Sequence, residues 1–287
     1  MTDTAQPRPD RRLTPANDRV AHASLKGLVD APRYTRGSPA RIVLPVVDLC
    51  AAPDGARDRQ MLMGASVTVL ERRQGWAFVV AGDDGYCGYV RSNALGPAQA
   101  ATHRVIVPAS HLYSRADLKS HEVAGVSMGV RLAIDGAEGR FLRSQDGLFI
   151  PECHVAPLEA PPADPVALAE TLIGTPYLWG GNSRAGIDCS GLVQLCWQVA
   201  GRAAPGDSDM QARGLGQPLP DSARLRRGDL VFWRGHVAIV TGPDRIIHAN
   251  AHRMAVTHEG LADAITRIRA GGEGEVTIRR RDDSLGG

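Results

Sequence analysis

Residues 174–192 read GTPYLWGGNSRAGIDCSGL. A glycine-rich loop runs into Cys189, which stands between Asp188 and Ser190 at the first turn of a helix predicted over 189–200 and ended by Gly201. A thiol there faces backbone N–H groups without intrahelical partners and the positive end of the helix dipole, which favours thiolate and lowers its pKa. Polar and glycine neighbours make this a poor core position, so Cys189 is a candidate nucleophile. Cys196, on the same helix face among apolar neighbours, reads as core. A nucleophilic cysteine needs a base, and usually a group to orient that base. His236 heads the apolar strand HVAIVTG, and His248 ends the next one, RIIHAN, 248 − 236 = 12 residues on. Adjacent strands of a hairpin can set these rings side by side. His236 is then expected to take the thiol proton and later protonate a leaving amine, with His248 holding its tautomer. His252 and His258 compete for that third role; His248 is preferred because it follows Ile246 and Ile247 at a strand end.

Upstream of this stretch, Asp164 is suited to cap a helix that opens at Pro165 and closes at Gly174. Before it, PLEAPPADP (157–165) carries four prolines in nine residues and reads as a linker. Further upstream the pattern changes to short strands, 41–49, 66–70, 76–80 and 86–90, separated by Pro53-Asp54-Gly55, Arg73-Gln74-Gly75 and Asp83-Asp84-Gly85. A second set follows at 103–107, 123–130, 140–144 and 148–151, with Asp135-Gly136 and Asp146-Gly147 as turn candidates. Downstream of the cysteine, strands are expected at 229–234, 237–241 and 245–248, with Asp229 tying a turn. Helices followed by antiparallel strands give an α+β order. The expected organisation is a flexible arm at 1–30, a small barrel at 31–98, another at 99–158 and the α+β domain at 159–287.

Composition narrows the function. The 287 residues hold 33 Lys plus Arg and 31 Asp plus Glu, a net charge of +2, which disfavours a broad nucleic-acid-binding surface. No run reaches the 18 apolar residues of a membrane span, and residues 1–19 lack the apolar core of a signal peptide, so a cytoplasmic location is expected. The five cysteines are odd in number and lack CxxC spacing, which argues against a disulfide framework or a zinc site. With no phosphate-binding glycine loop either, no cofactor and no metal are expected. Oligomeric state is left open.

Taken together, YLWGG…GIDCSGL, RRGDLVFWRGHVAIVTG and IIHAN resemble the NlpC-type cysteine peptidases of bacterial murein, a papain-like α+β fold. The resemblance covers most of 165–260 and maps the family's Cys, His and third polar residue onto Cys189, His236 and His248. It implies that Tyr177, in PYLWGG, helps the Cys189 N–H to stabilise an oxyanion. Members with N-terminal SH3-type barrels are the most similar, which fits the all-β text of 31–158. They cut the bond between γ-D-glutamate and a diamino acid in murein peptides with a free N-terminal L-alanine. The resemblance assigns Asp188 to the ammonium group, Ser190 and Ser208 to the dipeptide site, and Tyr86 to the aromatic reaching from barrel to groove. One departure is Ala65, where relatives often carry an acid after the glycine of the "LMG" turn. Two other readings remain: an acyltransferase or amidase on the same fold, or a wall-fragment-binding module without catalysis.

Overall fold

Tight turns and period-two hydrophobicity build the N-terminal half. In the computed structural model, which describes residues 10–160 and 163–283, seven antiparallel strands order as Arg57–Leu62, Val46–Cys50, Cys87–Arg91, Trp76–Ala81, Ser66–Arg73, Ser38–Ile42 and Leu95–Pro97. Gln74 and Gly75, at φ +50° and +79°, make the two-residue hairpin turn between Ser66–Arg73 and Trp76–Ala81. The single strand expected over 41–49 is two. Pro45 lacks an N–H and pushes Leu44 out of regular pairing, so the chain turns between Ile42 and Val46.

The second β region divides into a five-stranded sheet, Glu122–Ser127, Ala109–Tyr113, Phe149–Pro151, Phe141–Ser144 and Ile134–Glu138, and a three-stranded one around His103–Val105. Asp135-Gly136, expected as a turn, lies inside Ile134–Glu138. The register shifts between Ile134 and Gly136, so the glycine absorbs a bulge, and the chain reverses instead near Gly139 at φ +59°.

The arm expected to be flexible is packed from residue 10 onward; residues 1–9 lie outside the described residues. Ala21–His22 pairs in parallel with Tyr34–Thr35, and Val20 is buried against Leu70, Phe78 and Cys87. The Arg12 carbonyl accepts from the Cys87 N–H at 2.7 Å. Burial of Val20 joins the ion pairs of Arg11, Arg12 and Arg19 in opposing the entropy of ordering this segment. Of the proline-rich linker, residues 161–162 also lie outside the described residues.

Beyond the linker, helix α1 (Pro165–Thr171) starts where Asp164 Oδ1 accepts from the Val166 N–H at 2.8 Å. Helix α2 (Cys189–Val199) and α3 (Ser208–Gly214) follow. A six-stranded antiparallel sheet then orders as Gln217–Leu219, Ile278–Arg281, Leu230–Trp233, His236–Gly242, Arg245–Asn250 and Ala255–Gly260, with α4 (Leu261–Ala270) beside it. Alternation decides its two faces. Leu230, Phe232, Val237 and Ile239 join Leu192 and Leu195 of α2 in one core, while Val231, Ala238 and Val240 pack with Ala264 and Ile268 of α4 in another. The core around α2 also takes Val126, Met128 and Ile150 from the second β region, so the two halves share one buried cluster.

Candidate active site

The loop before the nucleophile is held by its own glycines and one carboxylate. A Cβ on Gly191 would collide with the Gly181 carbonyl, so the loop can lie directly on the first turn of α2 only with glycine there. Asp188 is the N-cap. Its Oδ1 accepts from the Gly191 N–H at 2.6 Å and the Ser190 hydroxyl at 3.0 Å, and its Oδ2 accepts from the Gly180 N–H at 2.8 Å. Three internal donors on this buried carboxylate lock loop to helix, and Asp188 and Ser190 also line the cleft beside Cys189.

Cys189 begins α2 and is buried, 6% exposed. Its Sγ lies against the backbone on both sides of His236, 4.0 Å from the Gly235 carbonyl and approached by the Val237 N–H. Burial pushes the thiol up to about 12 and the Asp188 charge adds to this, while N–H groups at the helix start pull the other way. The lowered pKa expected from the helix dipole is therefore overturned in the resting protein. A terminal dipole contributes about 1 kcal/mol, less than the cost of charging a desolvated sulfur.

His236 and His248 meet as the hairpin spacing suggested. The strands pair at Ile239–Ile247; carried on, this register sets Ala238 opposite His248 and His236 on the diagonal. His236 Nε2 lies 2.9 Å from His248 Nδ1. Burial is the main cause holding both imidazoles neutral, His236 pushed down to about 3 and His248 to about 4. With Nε2 engaged, Nδ1 is the His236 nitrogen left for the thiol. The competing histidines lie elsewhere: His258 Nδ1 is 3.3 Å from the Ile246 carbonyl, and His252 is exposed.

In front of Cys189 opens a cavity of about 520 Å³, lined by Tyr177, Ser190, Ser208 and Tyr86 among others. Thus Tyr177, Asp188, Ser190, Ser208 and Tyr86 share the cleft with Cys189, while His236 stands between the two backbone groups nearest Sγ and pairs with His248. Tyr86 is 1% exposed, yet its hydroxyl donates to Asp207 Oδ2 at 3.1 Å. Burial raises the Tyr86 and Tyr177 hydroxyls, keeping both protonated as donors.

The same cavity is lined by charges that sequence reasoning missed. Asp58 receives both Arg11 Nη1 and Nη2, at 2.7 and 2.8 Å. Arg12 bridges Asp10, Asp207 and Asp209 at 2.6–3.2 Å. Its hydrogen bonds hold Asp209 down at about 2. Asp207 and Asp209 flank Ser208 in GDSDMQ, a signal that was readable; no local pattern links Arg11 to Asp58. Among the described residues, no group of three or more His, Cys, Asp or Glu is arranged to hold a metal, and no helix is long and apolar enough to cross a membrane.

Comparison with known proteins agrees with this geometry. The NlpC/P60 family pattern matches residues 174–269, and that of the bacterial dipeptidyl-peptidase SH3 domain matches 49–95. The chain is 27% identical over 226 residues to a γ-D-glutamyl-L-lysine dipeptidyl-peptidase of Bacillus cereus, covering 67% of each protein. A probable endopeptidase of Corynebacterium glutamicum is 32% identical over 166 residues, 53% of this chain and 74% of that protein. In fold, an NlpC/P60 family protein from Bacillus cereus superposes with a TM-score of 0.73 at 22% identity, covering 85% of this chain and 99% of the other.

Proposed function

Because the chain belongs to the NlpC/P60 family of cysteine peptidases, with an N-terminal SH3-type domain, we propose that it cleaves the bond between γ-D-glutamate and the diamino acid in murein peptides bearing a free N-terminal L-alanine. The observation that carries this is the cleft itself, which a buried thiol shares with the Asp58 and Asp207 carboxylates and the Tyr86 hydroxyl. Those carboxylates suit a substrate ammonium group, which forms charge-assisted hydrogen bonds to them. Asp58 supplies a second carboxylate that Ala65 does not, and Arg11 gives way or shares it when substrate enters. The relatives' names support a γ-D-glutamyl substrate.

In this reading Cys189 Sγ attacks the γ-glutamyl carbonyl carbon as its proton passes to His236 Nδ1. Thiolate and imidazolium are each disfavoured alone in a dry site, but here they arise together and stabilise one another. The Cys189 N–H and Tyr177 hydroxyl donate to the oxyanion, and Ser190 and Ser208 line the dipeptide. Imidazolium protonates the leaving amine, giving a thioester and a free diamino acid. Water then attacks the thioester with His236 as base, and Cys189 leaves as the thiol. His248 orients His236 throughout.

Residues 99–158 form a second SH3-type barrel in this scheme, after the first at 31–98. A site needing a free L-alanyl amine acts after that amine has been released from the glycan, which suits peptide recycling in the cytoplasm; fractionation of the native host tests this location. The main test incubates the protein with L-alanyl-γ-D-glutamyl-diaminopimelate and with its N-acetylated form, read by mass spectrometry, with Cys189→Ala as blank. Cleavage of the free-amine peptide alone is expected. Equal cleavage of both peptides overturns the amine requirement, and cleavage of neither overturns the murein substrate.

A further inference from the structure

Behind the two histidines lies a carboxylate that the scheme above does not use. Glu259, at the end of strand Ala255–Gly260, brings Oε2 to 3.0 Å from His248 Nε2. Arg267 on α4 grips the same carboxylate, Nε donating to Oε1 at 2.8 Å and Nη2 to Oε2 at 2.7 Å. The His248–Glu259 contact is bent away from the line of an ideal hydrogen bond, but His248 is 0% exposed and no other partner among the described residues reaches its Nε2.

The proton order follows from these contacts. The Arg267 fork holds Glu259 below the usual carboxylate range, so it is ionised and only accepts. A bare ring nitrogen 3.0 Å from it would set two lone pairs against each other in a dry core, so Nε2 of His248 carries the proton. A neutral imidazole has one N–H, which leaves His248 Nδ1 bare to accept from His236 Nε2–H across 2.9 Å. His236 Nδ1 is then bare and able to take the thiol proton. The reverse order, with His248 Nδ1–H donating to His236 Nε2, forms the same number of bonds between the rings. It puts a proton on His236 Nδ1, where the ring cannot act as base.

We propose that Glu259, held by Arg267, is a positioning residue that selects the productive proton order of the His248–His236 pair, extending the site to Cys189, His236, His248 and Glu259. This rests on His236 being the base for Cys189, but not on the identity of the substrate.

The decisive observation is ¹⁵N NMR of the histidine-labelled full-length protein at neutral pH. A bare Nδ1 and protonated Nε2 on His236 are expected; a protonated Nδ1 in the wild type overturns the inference without touching the murein assignment. Glu259→Gln sharpens the test. Arg267 will draw the amide oxygen toward itself and turn the NH₂ toward His248, reversing the order. His236 Nδ1 should become protonated. The iodoacetamide alkylation rate of Cys189 and kcat should fall by about 10–100-fold, less than the roughly 10²–10⁴-fold lost with the base itself, while KM stays within about twofold. Adding Arg267→Met releases the amide to flip, so the double variant should regain part of the lost rate. A purely structural ion pair predicts no such recovery, and its absence in a folded double variant overturns the proposal.

Discussion

At the thiol end of the cleft, Cys189, His236 and His248 are neutral in the resting protein, each desolvated and packed against backbone or another ring. Elsewhere on the wall of the same cavity, Asp58 and Asp209 accept from Arg11 and Arg12, and Asp207 is shared between Arg12 and Tyr86. The first arrangement keeps charge out until reaction creates it; the second keeps charges in water-accessible pairs that a substrate cation can exchange into. Chemistry and recognition in one cavity thus use opposite electrostatic environments.

The largest effect should come from the reactive end. Cys189→Ala and His236→Gln should each lower turnover by at least about 10³-fold, with thermal unfolding little changed for the cysteine variant. Peptide assays with single-turnover sampling measure this; retained turnover in Cys189→Ala would place the nucleophile elsewhere. Next comes recognition. Asp207→Asn removes a charge from the ammonium end and should raise KM for the free-amine peptide about 10- to 100-fold, the worth of a charge-assisted hydrogen bond, with kcat nearly intact. If kcat falls while KM holds, Asp207 belongs to the chemistry and the contrast between the ends is wrong.

The neutral histidines also link stability to pH. Their folded values of about 3 and 4 lie below the ordinary 6.5, so the unfolded chain binds protons first. Stability is therefore complete above about pH 6.5 and lost as pH falls toward 4, by roughly 2 kcal/mol per histidine at pH 5. Urea midpoints at pH 7 and 5 should differ less in a His236→Gln, His248→Gln double variant than in the parent; an equal difference in both would rule out this burial effect. The smallest effect belongs to Arg11, whose side chain is 56% exposed. An exposed ion pair contributes about 0–1 kcal/mol, so Arg11→Ala should free Asp58 and lower KM by up to about fivefold at low salt, less at high salt. A raised KM would make Arg11 a substrate contact instead of a competitor.

Much of the reactive end was legible because it is local. Cap, glycine loop and helix start fall within 174–192, and a hairpin converts the spacing of His236 and His248 into contact. The recognition end joins residues 11, 58, 86 and 207, which only folding brings together. Asp188 illustrates the limit: its place beside the nucleophile suggested a substrate contact, but only the fold shows that it lines the cleft while also accepting from Gly180, Ser190 and Gly191. Within the β half, proline and glycine signals were sound as breaks, but Asp135-Gly136 could be read as a turn because a bulge and a turn make the same demand on glycine.

By itself, then, the sequence determined the family, the nucleophile's position at a helix start and the pairing of two histidines on neighbouring strands, since periodicity, caps and turns act over a few residues. Tertiary structure alone decided that Cys189 rests as a thiol, that Arg11 and Arg12 fold back onto the cleft's carboxylates, and that Glu259 stands behind His248. Desolvation and ion pairing depend on what packs around a group, and here those neighbours come from up to 197 residues away along the chain.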